Sequence, residues 1–273
     1  MADMNFVQRI GSRGQIYLKS ALAGVALGVL TIWLAFTPPG ILGKADAIGY
    51  SVCHRIELRS FWIGDRPTPL CARCSGMYLG MLTGFIFQWV QGKRSALPPL
   101  RISIPLSVFL ITFGVDGLNS YLHFFPQAPA LYTPSNLLRL ATGSGLGLLV
   151  SVIFLPLFHQ YFWTQPDPRP ALANYRQVFL LLLLVGLVST AMYLRIPGLI
   201  TVLAVLSAAT VWLVLGMCYS LLWMTIFHRE NSFDTLKSGW VILTAGFTTA
   251  LLQIGAVDWL RYTITGTWSG FIF

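Results

Sequence analysis

Charge is scarce in this chain. Charged residues fill 10% of its 273 positions, with only nine Asp or Glu against eighteen Lys or Arg, while 55% are hydrophobic. Several functional classes are excluded by what is missing. There is no P-loop, no Gly-x-Ser-x-Gly and no His-Glu-x-x-His. The last apolar run holds no Lys, which argues against a retinal-binding seven-helix protein. Period-2 alternation with frequent turns, the mark of an outer-membrane barrel, is absent. No basic, aromatic-interleaved soluble domain accompanies the net charge of +9, so no nucleic-acid partner is expected. Positive loops beside anionic headgroups account for that charge.

Long apolar runs are what the chain does have. A spanning helix needs about 20 mostly apolar residues, and seven such runs occur, at 20–37, 75–91, 103–122, 137–159, 177–195, 198–226 and 239–260. The expected fold is an all-α integral membrane protein of about seven transmembrane helices. A Cys/His-containing extramembrane segment joins the first two. The first run, behind Arg9, Arg13 and Lys19, reads as an uncleaved signal-anchor helix. Loop cations then set the orientation. Lys93, Arg94, Arg101, Arg169, Arg176, Arg229 and Lys237 place the N-terminus in the cytosol and the C-terminus outside, in the cell inner (plasma) membrane. Residues 38–74 break this rule, being assigned outside yet carrying Lys44, Arg55, Arg59, Arg66 and Arg73. The expected division is a cytosolic N-terminus (1–19), a four-helix core (20–159) containing segment 38–74, a Pro-rich cytosolic turn (160–176) and a three-helix C-terminal part (177–273).

Three of the four cysteines fall within Ser51–Gly80. Cys53-His54, followed after sixteen residues by Cys71-Ala72-Arg73-Cys74, forms a set of three cysteines and one histidine suited to tetrahedral zinc. Because Cys53 and His54 are neighbours, both can reach one ion only if the backbone turns there. Four protein ligands would make the zinc a structural clasp. Thiol redox competes, since a Cys-x-x-Cys at a helix start beside Arg73 suits a lowered thiol pKa. That alternative makes the chain a membrane thiol-disulfide oxidoreductase using Cys71 and Cys74, possibly quinone-linked, although Cys53 then lacks a mate. Cys218 reads as an inert core residue of the sixth run.

The arginines of the segment admit a headgroup-contacting face or a pocket for an anion, since guanidinium forks suit phosphate and carboxylate. Asp116, Asn119 and His123 share one face of the third run, and Asn136 and Arg139 open the fourth. Topology brings these ends to the cysteine side. Arg59, Arg73, Asp116, Asn119 and Arg139 are therefore the expected lining of a polar pocket, with an Asp116–Arg139 ion pair as the structural alternative. Gly76, Gly80 and Gly84 make a bare stripe matched by Gly143 and Gly147, which predicts close contact of the second and fourth runs. His159 and His228 lie at inner ends and read as interface residues; with His123 they leave open a pigment- or haem-binding subunit.

The run CHR…RSF…PLCARCSGMYLG, with Asp116-x-x-Asn119 and Asn136-x-x-Arg139-x-x-x-Gly143, resembles a family of bacterial and archaeal predicted membrane proteins of unknown function. That family is recognised by a Cys-His and a Cys-x-Arg-Cys-x-Gly-x-Tyr signature. The resemblance covers about residues 50–150, leaves out the last three runs and implies no reaction. It supports these residues as one site. The function expected from the residues is binding of an anionic lipid or other amphipathic ligand, or service as a subunit of a larger membrane complex, with membrane lipids as partners.

Overall fold

The computed structural model describes residues 12–125, 127 and 129–270. Arg9, assigned above to a cytosolic N-terminus, lies outside the described residues. Each apolar run is helical. In chain order the helices are α1 (Ser12–Phe36), α2 (Gly40–Val52), α3 (Ala72–Trp89), α4 (Leu100–Leu106), α5 (Val108–Leu122), α6 (Asn136–Phe162), α7 (Tyr175–Tyr193), α8 (Leu199–Ile226) and α9 (Trp240–Thr265). Among the described residues, six helical stretches are long and apolar enough to cross a membrane: Ile16–Phe36, Leu100–Leu122, and α6 to α9. The remaining run of the sequence, the second, is α3. Its 18 residues include Arg73, Gln88 and three glycines, which makes it too polar to qualify by composition.

The polar and glycine residues of α3 are explained by its neighbours. α3 lies parallel to α6 in direct backbone contact. A Cβ on Gly76 would strike the Leu140 carbonyl, one on Gly80 the Ser144 carbonyl, and one on Gly84 the Ser151 hydroxyl. From the other side, a Cβ on Gly143 would meet the Arg73 backbone and one on Gly147 that of Met77. Gln88 donates to the Ser151 carbonyl at 2.9 Å and to that of Gly84 at 3.0 Å, so its amide N–H groups are answered by protein. The predicted glycine contact is therefore present. Small residues let two backbones approach, which is how helices associate where lipid removes the hydrophobic drive.

α2 was not foreseen. Pro38-Pro39 ends α1, Gly40 adopts φ +76°, and the chain turns back into a 13-residue helix whose inner face buries Ala45, Asp46, Ala47, Ile48 and Tyr50. Lys44 of α2 donates to the Leu34 carbonyl and, at 3.0 Å, to that of Thr37, capping the open carbonyls at the end of α1. Beyond α2 a short hairpin, β1 (Trp62–Ile63) with β2 (Arg66–Pro67), leads into α3.

The opposite face of the bundle is tied by β3 (Arg94–Ala96) and β4 (Asp167–Pro170), which pair in parallel. The Pro-rich stretch expected as a stiff turn is thus a strand. Proline cannot donate to a ladder, and the contacts use its neighbours and its carbonyl: Asp167 N–H to the Lys93 carbonyl at 2.9 Å, and Arg94 to the Pro170 carbonyl at 3.0 Å. His159, read as an interface residue, is buried between Trp89 and Trp163 with Nδ1 donating to the Arg94 carbonyl at 2.9 Å. Cys218, read as a core residue, is exposed on α8 instead.

Candidate metal centre and arginine pocket

The cysteine segment closes over the ends of α1, α3, α5, α6 and α9. Cys71 is the residue before the first turn of α3, with extended backbone (φ −65°, ψ 163°), and Cys74 follows one turn later. Cys53 ends α2, also extended at φ −130°, ψ 144°. The ligand atoms of Cys53, Cys71 and Cys74 all lie within 4.8 Å of one another. All three cysteines are reduced, and Cys53 and Cys71 are buried among Trp33, Ala47, Ile48, Leu70, Leu251 and Ile254.

His54 does not belong to this group. Successive side chains of an extended chain point to opposite sides, and the backbone is extended at Cys53. The turn comes one residue too late, at Arg55, whose φ is +52°. No His54 ring nitrogen lies with the three sulfurs, and its Nδ1 accepts the Ile56 amide at 3.0 Å. The expected set of three cysteines and a histidine is therefore a set of three cysteines alone. Its shell is not closed by four protein ligands as the sequence suggested.

Cys53 is the sulfur best prepared to carry charge. Its Sγ accepts the Cys71 amide at 3.3 Å and the Arg55 amide at 3.4 Å. Thiol hydrogen bonds from Cys71 and Cys74 lower its pKa well below the usual thiol range, overcoming burial. The same sharing pushes Cys71 up to about 12 and raises Cys74.

Around the triad the arginines divide into two kinds. Arg55 and Arg66 are ion-paired to Asp46, the former at 2.7 Å. Arg73 pairs with Asp116 and also reaches the Ser120 hydroxyl at 2.9 Å. Asp116 is held further by the Tyr132 hydroxyl at 2.8 Å and by Thr142 at 3.2 Å. The Asp116–Arg139 pair considered above is replaced by Asp116–Arg73. Asn119 builds the site rather than lining it, receiving the Leu131 amide at 2.7 Å and donating to the Tyr132 carbonyl at 2.9 Å.

Arg59 and Arg139 are the second kind, with no carboxylate at ion-pair distance among the described residues. Arg59 donates to the Ser120 carbonyl at 3.1 Å and lies 3.9 Å over the Phe124 ring. Arg139 bonds the Asn136 amide oxygen at 3.0 Å and keeps its buried Nε without a partner. The Arg59 pKa is lowered by burial and then by the positive fields of Arg139 and Arg73; His54 is lowered by burial, opposed by the field of Cys53, with Arg59, Arg73 and Arg139 adding to the lowering. Three guanidiniums thus crowd one corner beside a single carboxylate.

Sequence reading missed the clamp from α9. Arg261 donates to the Tyr50 carbonyl at 2.6 Å and the Cys53 carbonyl at 2.7 Å, and its guanidinium lies 3.9 Å from the Tyr50 ring centre. Arg55 similarly reaches the Trp268 carbonyl at 2.9 Å. The available signal was Asp258 and Arg261, ionisable residues three apart inside an apolar run, which in a membrane segment call for a partner.

Residues 53–153 match the model of a family described as predicted membrane protein, DUF2085. An uncharacterized protein of Methanocaldococcus jannaschii is 31% identical over 113 residues, which is 41% of this chain and 67% of that protein. An uncharacterized protein of Methanothermobacter thermautotrophicus is 31% identical over 108 residues, 40% of this chain and 88% of that one. No solved structure matches the chain. The matched region runs from Cys53 into α6 and holds all three clustered cysteines with Arg59, Arg73, Asp116 and Arg139, whereas α7 to α9 lie beyond it. The chain belongs to the DUF2085 family of predicted membrane proteins.

Proposed function

We propose that this protein is a multi-pass membrane protein in which Cys53, Cys71 and Cys74 hold one soft metal ion of the zinc class, fixing an arginine pocket for an anionic amphiphile. The observation that carries the reading is the three thiol sulfurs, gathered within 4.8 Å in a buried setting. Thiolate donors suit zinc, and amide N–H bonds to sulfur of the kind Cys53 receives are the usual outer support of such sites. Three sulfurs leave one coordination position for water or a substrate atom, so the centre is not restricted to a clasp.

Arg59 and Arg139 supply the anion side. Guanidiniums without carboxylate partners, next to apolar spans, suit a phosphate headgroup whose tails stay in lipid. The orientation is part of the same proposal, with the cysteine face outside. Four of the five cations that broke the loop-charge rule support it: Arg55 and Arg66 share Asp46, Arg73 has Asp116, and Lys44 is spent on the end of α1. The opposite face keeps Lys93, Arg94, Arg101, Arg169, Arg176, Arg229 and Lys237.

Elemental analysis of the purified protein tests the metal, with about one zinc per chain expected. A metal-free, folded protein holding a Cys71–Cys74 disulfide would replace this reading by the redox one. Lipid analysis tests the pocket: Arg59→Ala and Arg139→Ala should lose a co-purifying anionic lipid while the protein stays folded. Unchanged lipid with lowered thermal stability would reduce both arginines to a structural role.

A further inference from the structure

The site described above leaves one buried carboxyl group unused. Asp258 of α9 is 3% exposed, and neither of its oxygens makes a well-formed hydrogen bond. From α1 it is faced by Trp33, whose indole N–H is also buried and stops short of a full hydrogen bond; from the cysteine segment by Arg55; and on its own helix by Arg261. α8, the helix packed most extensively on α9, contains no charged residue. The charges of α2 are engaged elsewhere, Lys44 on Leu34 and Thr37 and Asp46 on Arg55 and Arg66.

Burying a carboxylate away from water without a well-formed hydrogen bond is costly, and the protonated form is favoured in such a setting. Ionisable residues inside membrane helices are costly and mark pathways or relays. Asp258 also stands three residues before Arg261, so the two share a helix face. Arg261 is the residue that holds the Tyr50 and Cys53 carbonyls, at 2.6 and 2.7 Å. An ionised Asp258 would compete with those carbonyls for the same guanidinium.

We propose that Asp258 is a membrane-embedded proton-binding site whose ionisation draws Arg261 away from the cysteine loop. In the step itself the carboxyl O–H bond breaks and the proton leaves to water at the cysteine face. Arg261 stays protonated throughout and exchanges a carbonyl acceptor for the new carboxylate. No electron moves. The site lies outside the family-matched region and does not depend on a metal at the cysteines.

Dicyclohexylcarbodiimide reacts with protonated carboxyls in apolar surroundings and not with carboxylates, so it reads the site directly. Full-length protein in detergent, labelled and mapped by mass spectrometry, should carry the adduct at Asp258 in preference to the ion-paired Asp46 and Asp116. Labelling should fall about tenfold per pH unit above the titration point and vanish in Asp258→Asn. In pH-difference infrared spectra a protonated-acid carbonyl band should titrate in the native protein, persist in Asp258→Glu and be missing from the folded Asp258→Asn protein. Arg261→Gln should carry the label to higher pH, because the counter-ion is gone; no such shift would remove Arg261 from the proposal. Absence of both adduct and band from folded native protein overturns the assignment. Protection by sodium at fixed pH overturns it equally, in favour of a cation site.

Discussion

α6 and α1 are both long apolar helices, yet 61% of the most apolar window of α6 is buried inside the protein and only 6% of that of α1. Apolar content does not separate them. Small and polar side chains do. In α6 Gly143 and Gly147 press against the backbone of α3, and Arg139, Ser144, Ser151 and His159 are buried. α1 also has two glycines, Gly24 and Gly28, but nothing lies within 4 Å of where their Cβ atoms would be. In lipid, greasy surface alone gives one helix no reason to seek another. The centre of this bundle is set by close backbone approach and by polar groups that need partners.

The comparison breaks most readily at its tightest point. Gly147→Val drives a side chain into the Met77 carbonyl and toward the Met81 amide, and should cost about 3 kcal/mol or more. Gly24→Val should leave the thermal midpoint of the detergent-solubilised protein unchanged. Equal losses at the two positions would erase the distinction between the helices.

A second effect of similar size lies in the polar network. Asp116→Ala leaves Arg73 facing a buried void without its carboxylate, and loss of one partner of a buried pair costs about 3–5 kcal/mol. Replacing both residues together, Asp116→Leu with Arg73→Met, should recover most of that loss in the same melting assay. If the double change is as damaging as the single one, the pair is not what the arginine serves.

Metal content gives a sharper contrast at smaller energetic stakes. Cys71→Ser should abolish the metal proposed at the cysteines, measured by plasma emission, whereas Cys218→Ser, on the exposed face of α8, should leave it intact. His54→Ala should retain it too, since the imidazole stands outside the cysteine group and its Nδ1 accepts the Ile56 amide. Metal lost with His54 would return the ring to the coordination shell.

The smallest effect is expected at the opposite face. Asp167 is held near a pKa of about 2, chiefly by its hydrogen bonds with Arg169, against an ordinary 3.8. A depressed carboxyl stabilises the fold above its unfolded value and loses that contribution as pH falls through the folded one. Asp167→Asn should therefore flatten acid unfolding in the window from about pH 4 to about pH 2, and lower stability by a small, pH-independent amount above that window. The pair is exposed, and exposed pairs contribute little.

The sequence by itself determined the membrane class and the helical runs, because bilayer thickness imposes a length and a composition that a chain displays locally. It also determined the contact between α3 and α6, since glycines four apart make one stripe whatever surrounds them. Tertiary structure alone decided three things. It decided that α3, polar by composition, lies at the centre, because Gln88 and Arg73 are answered by other helices. It decided that Cys53 joins Cys71 and Cys74 while His54 stays outside the group, because the chain is extended at Cys53 and reverses only at Arg55. It decided that Arg261, more than two hundred residues from Tyr50 in sequence, holds the carbonyls that present Cys53. Spacing reports what neighbours along the chain can share. Which groups meet across helices depends on backbone direction and on which buried charge finds a partner, and neither is written locally.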